Sequence, residues 1–212
     1  MEALNTWGPL ALTLLELLAV AAFALSGVIE AARRRMDVVG VCVVAFLAAF
    51  GGGTLRDILL DHRPFFWVRE QYTLVGVFVL SLLALRFLRQ RHFEITERAI
   101  QWPDALGLGL FCGSGVHQAH LAGMPPMVCI VMGVITAVFG GVLRDMVCNE
   151  IPATLRDHRP YALCAAAGTL VYLLLSLLAA PAWLAITACV VVASGLRVLA
   201  ILRNWSLPAW KS

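Results

Sequence analysis

Apolar runs of membrane-spanning length follow one another along the chain, separated by short polar joints. They predict seven helical spans, near residues 9–30, 38–60, 72–88, 104–121, 125–148, 160–179 and 182–202. Each is close to the roughly 20 residues that cross a bilayer core. The expected fold is all-α and integral to the membrane, with residues 1–212 forming one transmembrane domain.

The residues that break the apolar pattern break it twice. Moved along by 88 positions, Ser26-Gly27-Val28 falls on Ser114-Gly115-Val116, and Gly52-Gly53-Thr54-Leu55-Arg56-Asp57 falls on Gly140-Gly141-Val142-Leu143-Arg144-Asp145. The register holds without a gap from Glu16, opposite Asp104, to Pro64, opposite Pro152, with 15 identities in 49 positions. The chain therefore reads as repeat one over about 9–90, repeat two over about 100–180, and a seventh helix over about 182–202. Three spans per repeat is an odd number, so the second copy enters the membrane inverted, as in many transport proteins. Asp61-His62-Arg63-Pro64 also recurs, as Asp157-His158-Arg159-Pro160, but out of this register; it is read as coincidence of loop composition.

Composition narrows the function classes. The chain is 61% hydrophobic and 14% charged, with mean hydropathy +0.86, against about 25% charged residues in soluble domains. The net charge of +3 matters less than its placement. With the N-terminus outside, the inner side collects Arg33, Arg34, Arg35, Arg86, Arg89, Arg91, Arg98, Arg156, Arg159, Arg203 and Lys211, and the outer side keeps Arg63 and Arg69. That bias predicts an N-out, C-in topology. No basic stripe interleaved with aromatics exists, so nucleic acid is not an expected partner. Six cysteines stand singly, without a C-x-x-C pair, and read as small buried hydrophobes rather than metal or disulfide ligands. The N-terminus has no basic n-region, and Glu16 interrupts its apolar stretch, so it reads as a retained first span.

The candidate chemistry lies inside the spans. Gly51-Gly52-Gly53 in the second and Gly140-Gly141 in the fifth each cost roughly 1 kcal/mol per glycine in a helix. They predict either unwound backbone whose carbonyls could meet a cation, or close helix crossings. Arg56-Asp57 and Arg144-Asp145 are adjacent, so each pair projects about 100° apart on a helix. That favours cross-pairing between repeats, Arg56 with Asp145 and Arg144 with Asp57; snorkelling to the headgroups is the alternative. Glu16 and Asp104 place one carboxylate in the first span of each repeat, where charge usually faces a cavity or partner. Asp104, after Trp102-Pro103, could equally cap a helix. Ser26 and Ser114 offer hydroxyls or small packing surfaces. Pro64 and Pro152 are expected to end their helices. His117 and His120 read as solvated loop residues rather than a metal site, and Arg197 is undecided between snorkelling and a cavity.

Seven spans in this arrangement, with Ser-Gly in the first, Gly-Gly-Gly-Thr-Leu-Arg-Asp in the second and Gly-Gly-Val-Leu-Arg-Asp before Asn149-Glu150-Ile151-Pro152 in the fifth, resemble the prokaryotic branch of the trimeric intracellular cation (TRIC) channel family. Its bacterial members have also been labelled glycine-transporter-like. The resemblance covers about residues 10–205 and implies a homotrimer in a prokaryotic cytoplasmic (inner) membrane. Each protomer would hold its own pore for K⁺ and Na⁺, with helices kinked at the glycine clusters of the second and fifth spans. The implied partners are lipid and permeant cation, with no cofactor. Phe139 stands where a third glycine would complete the symmetry. The lysine-containing lipid motif of animal members is missing, so their regulation is not carried over.

Two transport readings follow: a cation channel, with arginines beside the path neutralised by acids, or a carrier of a small neutral amino acid such as glycine. No nucleophile–base set, zinc signature or phosphate loop is present, so an enzyme is not expected. A scaffold would not need charge at repeat-related depths.

Overall fold

The computed structural model describes residues 2–91, 97–156 and 159–206. Asp157, His158 and Lys211 lie outside the described residues, as do the side chains of Arg89, Arg91, Arg98 and Arg156. Among the described residues the regular elements are helices: α1 (Glu2–Arg33), α2 (Val38–Leu59), α3 (Phe66–Arg69), α4 (Gln71–Arg91), α5 (Glu97–Leu121), α6 (Pro126–Val147), α7 (Ala153–Arg156), α8 (Ala162–Leu177) and α9 (Ala182–Leu202). Five are long and apolar enough to cross a membrane: α1 from Ala11, α2, α4 to Leu88, α6 and α9. α8 is apolar but shorter, and α5 is diluted by Gln101, Pro103, Asp104 and Gln118. α3 and α7, one turn each, have no counterpart among the predicted spans.

Helix ends repeat with the 88-residue register. Asp61 after α2 and Asn149 after α6 both take left-handed φ, 53° and 57°. The next amides then reach back, His62 N to Asp57 O at 2.8 Å and Glu150 N to Asp145 O at 2.9 Å. Asp and Asn tolerate this conformation better than other residues with a Cβ, which is why they can stop a helix here. Arg35 and Gly123 do the same after α1 and α5, with φ of 56° and 71°.

Glycine sets the helix crossings. A Cβ on Gly52 would run into the carbonyl oxygen of Thr136, and one on Gly140 into that of Ala48. Positions 52 and 140 are repeat-equivalent, as are 48 and 136, so α2 and α6 make the same contact on each other, as a local two-fold axis requires. Gly27 also packs on Ala45 Cα, and Gly115 on Gly133 Cα; added Cβ atoms would stand 2.8 and 3.1 Å away. This corrects the expectation of unwinding. α2 and α6 run as uninterrupted helices through Gly51-Gly52-Gly53 and Gly140-Gly141. Their missing side chains are used for close approach, and the carbonyls are not freed to meet a cation.

Two apolar cores form, one around Phe23, Phe50 and Phe66 with Leu110, Phe111 and Cys148 of the second repeat, the other around Cys112, Tyr172 and Cys189 of α9 with Leu60 of the first. Phe23 and Phe111, again repeat-equivalent, stack with centroids 5.6 Å apart. Large apolar side chains on α4, including Val75, Phe78, Val79, Leu82 and Leu83, point outward. An exposed apolar face of that extent suits lipid or another subunit rather than water.

Candidate functional site

Two buried guanidinium centres are built alike. Arg56 of α2 is 0% exposed. Its Nε and Nη2 donate to Asp57 Oδ1 at 2.9 and 2.7 Å. Its Nη1 donates to Glu16 Oε1 of α1 at 2.6 Å and to Ser114 Oγ of α5 at 2.9 Å. Arg144 of α6 has the same three kinds of partner: Nε to Asp145 Oδ1 at 2.8 Å, Nη1 to Asp104 Oδ1 of α5 at 2.7 Å, and Nη1 to Ser26 Oγ of α1 at 2.8 Å. Each arginine therefore takes its carboxylates from its own repeat and its hydroxyl from the other.

The adjacent aspartates do a second job. Asp57 Oδ2 accepts the amide of Phe66 at 2.7 Å, and Asp145 Oδ2 accepts that of Ala153 at 2.8 Å. These residues open α3 and α7, and a carboxylate at a helix start satisfies an orphan donor there. One oxygen thus holds the guanidinium while the other pins the following loop.

Around Arg56 the site is further filled. Ser114 Oγ and Gln118 Nε2 both donate to Glu16 Oε1, each at 2.7 Å. The Phe66 ring lies 5.3 Å from Arg56 Cζ. A buried arginine is tolerable only when so completely paired. In each centre two carboxylates meet one guanidinium. That excess of negative oxygen suits a passing cation and disfavours an anion.

The model of the Glycine transporter family matches residues 13–89 and, a second time, residues 101–177. The UPF0126 inner membrane protein YadS of Escherichia coli K12 is 41% identical over 154 residues, 73% of this chain and 74% of that protein. A UPF0126 membrane protein of Vibrio cholerae is 36% identical over 74% of this chain and 65% of its own length. The solved TRIC trimeric intracellular cation channel orthologue from Rhodobacter sphaeroides superposes with TM-score 0.85 at 31% identity, covering 92% of this chain and 99% of that one. The chain belongs to the TRIC channel family. A second solved structure, described as bearing on conductance through TRIC cation channels, gives TM-score 0.83 at 34% identity over 94% of this chain and 97% of the other. The doubled match of the family model falls on the two repeats. As a TRIC-family protein the chain is not an enzyme.

Within this TRIC-family fold, Arg56, Asp57, Glu16 and Ser114 come together, and so do Arg144, Asp145, Asp104 and Ser26. The expected pairing of Arg56 with Asp145 and Arg144 with Asp57 is not the one found. The angular argument treats side chains as spokes, whereas the arginine stem is long enough to curl back onto its neighbour's carboxylate. Snorkelling is likewise excluded for both arginines, which are 0% and 5% exposed. Asp104 caps nothing; α5 begins at Glu97 and runs through Pro103, leaving Asp104 inside the helix and against Arg144. His117 is no loop residue: it is buried in α5, with Nδ1 2.6 Å from Tyr172 Oη. Arg197 is buried too, its Cζ 4.7 Å from the Tyr161 ring. Gly51, Gly52, Gly53, Gly140 and Gly141 stand where neighbouring groups approach α2 and α6 closely, in backbone that stays helical.

Gln118 escaped the sequence reading. Its signal was there, since Gln118 falls inside a predicted span as the repeat partner of Glu30. Glu30 itself accepts from Arg33 Nε at 3.0 Å and Arg34 Nε at 3.0 Å, and Arg34 also pairs with Glu150. Phe66 and Tyr161 carried no polar signature that would have marked them.

Proposed function

We propose that this TRIC-family chain is a passive channel for monovalent cations, K⁺ and Na⁺, in a bacterial inner membrane. The seven long helices span the bilayer as two inverted three-helix repeats plus α9, forming one transmembrane domain, N-out and C-in. α2 and α6 bend at their glycine clusters and line a pore inside each protomer of a homotrimer. One observation carries the reading: both repeat-related arginines sit inside the helix bundle among carboxylates that outnumber them, in a chain whose solved relatives are cation channels.

The path proposed runs past Glu16, Arg56, Asp57 and Ser114 at one end, and Ser26, Asp104, Arg144 and Asp145 at the other. Carboxylate oxygen replaces part of the cation's hydration shell, while each arginine acts as a tethered cation that must yield before a mobile one takes its place. Moving one such charge fully across the field is worth about 2.3 kcal/mol per 100 mV, so a displaced arginine makes opening voltage-sensitive. The family description as a glycine transporter favours a second reading, a carrier of small neutral amino acids.

Purified protein in planar bilayers separates them. A channel gives discrete current steps whose reversal potential follows an imposed K⁺ gradient. A carrier gives saturable counterflow of labelled glycine with no such steps, and that result would replace the channel reading.

A further inference from the structure

The two centres differ at one repeat-equivalent glycine. A Cβ on Gly53 would strike the Phe66 ring, whose Cζ would lie 2.8 Å away. The space beside the Arg56 centre is therefore filled by a hydrocarbon ring, brought there because Phe66 is the residue whose amide Asp57 holds. In the second repeat Asp145 holds Ala153 instead, and a methyl group cannot reach as far.

There Tyr161, at the start of α8, takes the place. A Cβ on Gly141 would stand 3.4 Å from Tyr161 Oη, 3.5 Å from Asp104 Oδ1 and 3.8 Å from Arg144 Nη2. Tyr161 is only 5% exposed, and its hydroxyl makes no hydrogen bond of normal geometry among the described residues although it lies near the Asp104 carboxylate. An unsatisfied buried hydroxyl costs stability, and this one faces the carboxylate that Arg144 Nη1 occupies at 2.7 Å. The Arg197 guanidinium stacks over the same ring, holding it from α9.

We propose that Tyr161 is a positioning residue of the Arg144 centre: its hydroxyl is the alternative donor to Asp104. When Arg144 moves aside to let a cation pass, the phenol takes over that carboxylate and stabilises the open state. Gly141 leaves room beside both oxygens, since a Cβ there would touch each of them. At the Arg56 centre Phe66 fills that place and Glu16 is already held by Ser114 Oγ and Gln118 Nε2, so the exchange with a phenol operates at one end of the path. The inference rests on the channel reading.

The test is single-channel recording in K⁺ solution on the full chain, with thermal unfolding alongside. Tyr161→Phe is expected to lower open probability about tenfold, as befits a lost hydrogen bond to a charged group, while unitary conductance holds. Its thermal stability should stay level or rise, since the closed state loses only an unsatisfied hydroxyl. Gly141→Ala, whose methyl would sit at ordinary contact distance from both oxygens and take up the room the phenol needs to move, should lower open probability in the same way. Unchanged open probability in either variant would overturn the proposal, and so would Tyr161→Phe that is less stable but gates normally. A wild-type protein carrying no current would instead overturn the channel reading, and this inference with it.

Discussion

Glu16 Oε1 lies 2.6 Å from Arg56 Nη1, a contact between residues 40 positions apart that recurs between Asp104 and Arg144. A carboxylate about 8 Å from a passing cation stabilises it by roughly 2 kcal/mol at an effective dielectric of about 20. Since about 1.4 kcal/mol is a tenfold change in rate, Glu16→Gln should reduce unitary K⁺ current by an order of magnitude or more. Asp104→Asn should do the same, and bilayer recording measures both.

The pairing scheme gives a genetic prediction. Setting like charges in contact inside the bundle costs several kcal/mol more than neutralising one of them, so Arg56→Glu, against Glu16 and Asp57, and Glu16→Arg, against Arg56, should each collapse the yield of folded protein in detergent. Together they should restore part of it, because the contact is remade with its charges exchanged. The exchange Arg56→Asp with Asp145→Arg should restore nothing. Size-exclusion profiles of the four variants decide the matter.

Glycines that look alike in sequence should respond differently to alanine. At Gly52 and Gly140 the added methyl meets a backbone carbonyl of the facing helix, which no rotamer change relieves. Overpacking of this kind typically costs about 1–3 kcal/mol, so Gly52→Ala and Gly140→Ala should melt several degrees lower. Gly141→Ala should melt with the wild type, since its nearest neighbour would be 3.4 Å away. Thermal unfolding followed by circular dichroism compares all three.

What was legible in the sequence was the repeated unit. Glycine, arginine and aspartate stand out against apolar residues, so Gly52-Gly53 and Arg56-Asp57 announced their copies at Gly140-Gly141 and Arg144-Asp145. Partner choice was not legible, because it depends on side-chain reach and on one-turn helices too short to leave a periodic signal. Asp57 and Asp145 are where they are partly to hold the amides of Phe66 and Ala153, and neither short helix could be foreseen. The glycines posed a choice between freed carbonyls and tight crossings, and only the facing helix resolves it. Tyr161 is invisible in sequence for a related reason, since its importance comes from the spot where Gly141 leaves room.

One ion-pair network breaks the symmetry. Glu30, Arg33, Arg34 and Glu150 join the end of α1 to the segment after α6, while the positions equivalent to Arg34 and Glu150 hold Ala122 and His62. Arg34 and Glu150 are partly exposed, with side chains 31% and 27% accessible, so their contact should be worth about 1 kcal/mol or less. Glu150→Gln should therefore lower thermal stability slightly at low salt and not measurably at high salt. Unfolding at two ionic strengths tests it.

The central claim is that the buried arginine–carboxylate centres lie on the route the cations take. A cysteine at position 16, modified by a positively charged thiosulfonate during single-channel recording, puts a fixed cation where Glu16 now accepts from Arg56. The account expects unitary K⁺ current through Glu16→Cys to fall sharply on modification, with wild-type current unaffected by the reagent. Complete modification, verified by mass, that leaves the current unchanged would contradict it.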